Sequence, residues 1–225
     1  SGGNWKSVSP RAIVGLSRHS VRTQPILFTD VCVKNTSDDL RNMGHPRLSY
    51  IPLLCFFLGL RRREAALMDV RIALKQARKN FAVDVRRGTK GGRGASVPRL
   101  VPANARIEQI LGDVVDSIDK NERCLVPQGT SYKRFSSDIS SIVLPALKIR
   151  GIKKLHDLRA AYACQRYSDI TGYGAPCNQV DKSPVSRIVD EHAREVITRE
   201  LGHGRIQIVS SYIGAKPRHR GGEGG

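Results

Sequence analysis

Ile107, Ile110, Leu111, Val114, Val115 and Ile118 recur at positions i, i+3, i+4, i+7, i+8 and i+11 of a helix. A stripe this regular demands a partner layer, so the chain must pack a core around this element. Pro102 is expected to open the helix. A second apolar segment, Tyr50 to Leu60, runs 11 residues with Pro52 inside it. It falls well short of the about 20 residues needed to cross a bilayer and reads as a buried helix. Further helices are expected over 132–149, over 155–169, from an N-cap at Ser183 with Pro184 behind it to a stop at Gly202, and over 206–212.

Between Met68 and Leu100 the period changes to two. Phe81, Val83 and Val85 alternate with polar residues, and Val97 and Val101 recur beyond the glycine-rich stretch Gly88 to Gly94. The pattern predicts a hairpin or a small antiparallel three-stranded sheet, so the fold class is α+β and mainly α. Residues 1–44 lack clean periodicity and read as an arm or partial helix, ending in a turn at Asn42 to Pro46. Residues 215–225 read as a flexible Gly-rich tail.

The formal net charge is +18. Such an excess points to a polyanion, and nucleic acid leads, because each neutralised phosphate releases counterions. The charge is uneven: residues 59–99 alone carry a net +9. One face of the fold is therefore the expected binding surface, with Arg62, Arg63, Arg86, Arg87, Arg93 and Arg99 as DNA contacts. The five cysteines form no C-x-x-C pair. They read as reduced thiols of a cytoplasmic protein with no zinc site, and no signal peptide is evident.

Three stretches combine basic or nucleophilic side chains with a defined local geometry: Gly59-Leu-Arg-Arg-Arg-Glu64, His156-Asp-Leu-Arg159, and Leu201-Gly-His203 followed nine residues later by Tyr212. Each has an ordinary reading alone: a solvated arginine cluster, a chance pair on one helix face, a core tyrosine. In this order, with Thr89-Lys90-Gly-Gly in the hairpin, they resemble the catalytic domain of the tyrosine recombinases, the phage-integrase family. The resemblance covers residues 45–214. It implies a tyrosine-recombinase-like fold and six catalytic residues: Arg61, Lys90, His156, Arg159, His203 and Tyr212.

It also implies the activity: a site-specific recombinase that cuts and rejoins duplex DNA at attachment sites through a covalent 3′-phosphotyrosine, serving integration or excision of a mobile element. The protein would be a homotetramer on DNA and a monomer when free, in the cytoplasm of a bacterium or encoded by a phage or mobile element, with no membrane association. The residue types suit that chemistry without a metal or other cofactor. Arginine's planar fork holds two phosphoryl oxygens, as Arg61 and Arg159 would. A tyrosine hydroxyl ionises near pH ~10 and needs a proton acceptor, a task for His156. Lys90 would protonate the leaving 5′-oxygen, and His203 would donate to a phosphoryl oxygen in the transition state.

Two features depart from the family pattern. Arg159 and His203 are 44 residues apart, longer than the family's usual spacing, so residues 168–186 read as an insertion. The upstream 44 residues are too few and too weakly patterned for the family's N-terminal DNA clamp, which leaves a catalytic fragment or a degenerate clamp. Two other readings share many of these features: a type IB topoisomerase-like enzyme, and a non-catalytic DNA-binding module in which the same residues only grip phosphate.

Overall fold

The computed structural model describes residues 21–89, 97–179 and 184–216. The elements run α1 Asp30–Asn42, α2 Pro46–Phe57, α3 Arg62–Leu67, α4 Val70–Asn80, β1 Ala82–Asp84, β2 Leu100–Pro102, α5 Ala105–Asp116, α6 Tyr132–Asp138, a π-helical turn Ile139–Val143, and α7 Leu144–Ile149. Then follow α8 Leu155–Thr171, a 3-10 turn Pro176–Asn178, α9 Arg187–Glu200, a second 3-10 turn Ile206–Val209, and α10 Ser210–Ile213. None of the described helices is long and apolar enough to cross a membrane.

α8 is the central element. Leu155, Leu158, Arg159, Ala160, Tyr162, Ala163, Cys164 and Tyr167 are all buried, and from Asp157 to Cys164 every residue is, while Gln165 and Asp169 meet solvent. It packs against α2, α9 and α10. The apolar segment around Tyr50 is indeed a buried helix, entered at Pro46 and carrying Pro52 within it. Its neighbour α1 buries Val33 and Leu40 against the same core, so part of the pattern-poor N-terminal stretch is an integral helix.

Several expectations are corrected. The period-two reading from Met68 fails over residues 70–80, which form a helix that Asp69 caps by accepting from the Ile72 amide at 3.1 Å. The helix ends at Phe81, which takes a left-handed conformation and is exposed. Among the described residues the sheet has two strands rather than three, antiparallel with Val83 opposite Val101. The stripe helix is opened by Asn104, whose side chain accepts from the Ile107 amide, because Pro102 still belongs to β2. α9 starts at Arg187 behind a Ser186 cap, later than expected.

Gly59 links α2 to α3 at φ +58°, and a Cβ there would sit 2.5 Å from Cδ1 of Tyr162. Gly59→Ala is therefore expected to cost about 2–4 kcal/mol, from left-handed strain and a clash with the central helix. Gly112→Ala is the control: it is helical with open space around a new Cβ. That variant should gain about 0.5–1 kcal/mol, and urea midpoints of the two will show opposite signs.

Candidate active site

The loop between α2 and α3, the residue before β2 and the second turn of α8 meet around one buried carboxylate, with the end of α9 and α10 alongside. Glu64 is fully buried. It serves first as a local brace, accepting from the backbone N–H of Arg61 at 2.7 Å and so fixing the first turn of α3. It is also the common counter-ion of three arginines: Arg61 at 2.6 Å, Arg99 at 2.8 Å and Arg159 at 3.8 Å. Burial opposes its charge, yet the guanidiniums of Arg99, Arg61 and Arg159 hold the carboxyl below its ordinary range. One negative charge against three positive ones leaves the cluster with a surplus that favours an incoming anion.

Arg159 is 1 % exposed, and every donor nitrogen of its guanidinium has a partner. It donates to the carbonyl oxygens of Gly59 and Leu201, and through Nε to the Tyr212 hydroxyl at 3.3 Å. Burial pulls its pKa down to about 10, which still leaves it cationic at neutral pH. Arg61, more open at 29 % side-chain exposure, donates to Leu201 O at 3.3 Å.

Tyr212 is 3 % exposed and stands among these groups. The His203 Nε2 lies 3.1 Å from its hydroxyl and 3.3 Å from a terminal nitrogen of Arg159. A guanidinium can only donate, so the Arg159 contact requires an unprotonated Nε2, which then also accepts from the Tyr212 hydroxyl. The His156 ring is placed differently, with its centroid 4.7 Å from that of Tyr212 and tilted by 39°. Thus His203 meets the hydroxyl while His156 covers the ring.

Both imidazoles titrate low, first by desolvation and then by the Arg159 guanidinium: half-buried His203 is brought to about 3, and His156, whose outer edge is open to solvent and which contributes the smaller share of the pH dependence, to about 4. Between these values and the ordinary pKa of about 6.5 for histidine, the unfolded chain binds protons that the folded one does not. Stability therefore rises with pH across that window and is flat in these two groups above it. The melting temperature should fall steadily from pH ~7 toward pH ~4, and a His156→Gln/His203→Gln double variant should show a flatter decline.

The sequence words thus converge at five of six positions, and the sixth, Lys90, lies outside the described residues, as does Arg93. The remaining expected DNA contacts divide. Arg63 is exposed beside the Tyr132 ring, and Arg86 and Arg87 are exposed with partners Asp84 and Asp69. Arg62 reaches Ser140 in the π-helical turn at 2.9 Å. Arg99 is no surface contact at all. It is 4 % exposed and spends its guanidinium on Glu64, Glu200 O at 2.7 Å and Gly59 O at 3.3 Å.

Sequence reasoning also missed Arg194. Buried on α9, it pairs with Asp190 at 2.8 Å and donates to Ser210 Oγ and to the carbonyls of Gly214 and Ala215. It thereby fastens both ends of α10, the short helix that carries Tyr212. Its i−4 aspartate was the available signal, since that spacing permits a pair on one face. Among the described residues no group of three His, Cys, Asp or Glu side chains is placed to hold a metal ion.

No protein-family profile and no curated protein matches this chain. Among solved structures it is similar to the crystal structure of XerA recombinase, with a TM-score of 0.53 and 17 % identity. The match covers 91 % of this chain and 63 % of the other, so the chain spans less than two thirds of that protein. The two share a fold.

Proposed function

We propose that the chain is a tyrosine-type site-specific DNA recombinase, cleaving and rejoining duplex DNA through a phosphotyrosine formed on Tyr212. The observation that carries this reading is the setting of the Tyr212 hydroxyl, 3.3 Å from Arg159 Nε and 3.1 Å from His203 Nε2, beside an arginine cluster with excess positive charge. Gripping phosphate requires cations but has no use for a buried hydroxyl held between a guanidinium and a neutral imidazole. The shared fold with a recombinase agrees with it.

In the proposed reaction the scissile phosphate binds against Arg61 and Arg159, which neutralise its non-bridging oxygens. The bound anion offsets the arginine charge, the part of the suppression of both imidazoles that adds to desolvation. His203 gains a proton and turns from Tyr212 to a phosphoryl oxygen, and His156, already against the phenol ring, accepts the Tyr212 proton as the oxygen attacks phosphorus. The 5′-oxygen leaves with a proton from Lys90. The phosphotyrosine retains the energy of the broken ester, so a second 5′-hydroxyl can rejoin the strand.

The test is incubation with a nicked suicide duplex carrying its recombination site, which traps the adduct because the cut fragment diffuses away. A covalent protein–DNA band that persists in denaturing gels supports the reading, and its absence across sites drawn from the flanks of the encoding element defeats it. Strand exchange between two marked duplexes then separates a recombinase from a topoisomerase-like enzyme, which rejoins only the original strand.

A further inference from the structure

Behind Tyr212 lies a pair of thiols that the chemistry above does not use. Cys164 sits on α8, five residues beyond Arg159, and Cys177 in the 3-10 turn Pro176–Asn178. Their Sγ atoms are 3.6 Å apart. Both face the main-chain oxygen of Tyr212, at 3.7 Å from Cys164 and 3.8 Å from Cys177. The turn presses on the chain that follows the tyrosine: at Gly214 (φ +97°) a Cβ would lie 2.8 Å from the Cys177 nitrogen. Its other side is tied down by Asn178, whose Oδ1 accepts from the Ile26 amide at 2.9 Å.

We propose that Cys164 and Cys177 form a redox-modification site, in which a small-molecule disulfide of the glutathione class oxidises the pair to an intramolecular disulfide that restrains α10 and slows Tyr212. The site itself stands on the geometry of the thiols; its effect on Tyr212 chemistry rests on the recombinase reading.

Cys177 is the entry point, being partly exposed where Cys164 is buried. The hydrogen bond with Cys164 holds the Cys177 thiol below its ordinary pKa, and the same contact together with burial pushes Cys164 up. Cys177 loses its proton, and its thiolate attacks one sulfur of the small disulfide, giving a mixed disulfide and one released thiolate. Cys164 then loses its proton and attacks Cys177 Sγ, expelling the second thiolate. One small S–S bond breaks, one protein S–S bond forms, and both protons end on two small thiols.

Closing the 3.6 Å separation to a bond of about 2.05 Å needs a shift of about 1.5 Å. The bond removes the S–H hydrogens that the two thiols share between each other and the Tyr212 carbonyl. It also makes the turn a covalent extension of α8, the helix that carries His156 and Arg159. The Tyr212 hydroxyl is buried, so the proposed attack requires it to shift toward the phosphate, and the tethered turn is packed directly against α10.

The experiment treats the full chain with oxidised glutathione, quenches with an alkylating agent, and reads intact mass, peptide maps and deuterium exchange. The expected result is protection of Cys164 and Cys177 alone, a mass lower by two hydrogen atoms before alkylation, and slower exchange at Ser210 to Gly214. On the suicide duplex the oxidised protein should form adduct about tenfold more slowly, within the usual range for coupled sites. Dithiothreitol should restore the rate, and Cys177→Ser should keep the reduced rate with or without oxidant. Cys164→Ala serves as the second oxidant-insensitive variant should the first fold poorly. Glutathione retained on Cys177, or pairing with Cys32, Cys55 or Cys124, would overturn the site. A Cys164–Cys177 bond that changes neither exchange nor adduct rate would overturn the restraint. If the reduced protein forms no adduct on any duplex, the recombinase reading fails, while mass and exchange still decide the pair.

Discussion

Tyr212→Phe is expected to reduce covalent joining to DNA to background, a loss on the order of 10⁶-fold in rate, as for other enzymes stripped of their nucleophile. The change removes one oxygen and no charge. The phenyl ring keeps its packing on His156 at 4.7 Å and under Arg159 at 5.6 Å, so the pocket retains its shape. Arg159 keeps its bonds to Gly59 O and Leu201 O. DNA affinity, followed by fluorescence anisotropy at fixed salt, should therefore be nearly unchanged while the adduct band disappears. A strong adduct from the Phe variant would place the nucleophile elsewhere.

Glu64→Ala should be among the most destabilising single changes in the molecule. The carboxylate is fully buried and shared by Arg61, Arg99 and Arg159. Its removal leaves mainly buried guanidiniums facing one another with no counter-charge, a loss of about 3–5 kcal/mol. Glu64→Gln tests the origin of that loss, because it preserves volume and most hydrogen bonding but not charge. It should fall nearly as far. Adding Arg99→Met to Glu64→Gln should recover part of the deficit, because it deletes an uncompensated cation; strictly additive losses would show that the cluster is not electrostatically coupled. Urea unfolding of wild type, Glu64→Gln, Arg99→Met and the double variant yields the coupling directly.

Parts of this arrangement were legible in the chain and parts were not, for identifiable reasons. His156 and Arg159 stand at i, i+3 on one helix, and Tyr212 follows His203 by nine residues, so local spacing already brings these groups toward each other. The stripe from Ile107 was legible because bulky residues mark its buried face. α4 was not: its buried positions are Val70, Ala73 and Ala77, and alanines leave almost no mark in a hydropathy pattern. Arg99 misled for another reason. It follows a glycine-rich basic stretch that reads as solvent-facing, whereas its burial depends on Glu64, 35 residues earlier, and on the end of α9, about a hundred residues later. No local periodicity encodes a partnership of that range.

Two oxygen atoms hold the arginines in register, and neither belongs to a side chain. Gly59 O accepts from Arg99 and Arg159, and Leu201 O from Arg61 and Arg159. A codon change rewrites what hangs from a Cα but leaves the carbonyl in place, so long as the backbone path is kept. The template that aligns the cations is therefore written in the backbone path, and a substitution disturbs it only where it bends that path or strips the cations of their counter-charge. What a codon change must preserve here is the course of the main chain, of which Gly59 at φ +58° is an exacting point.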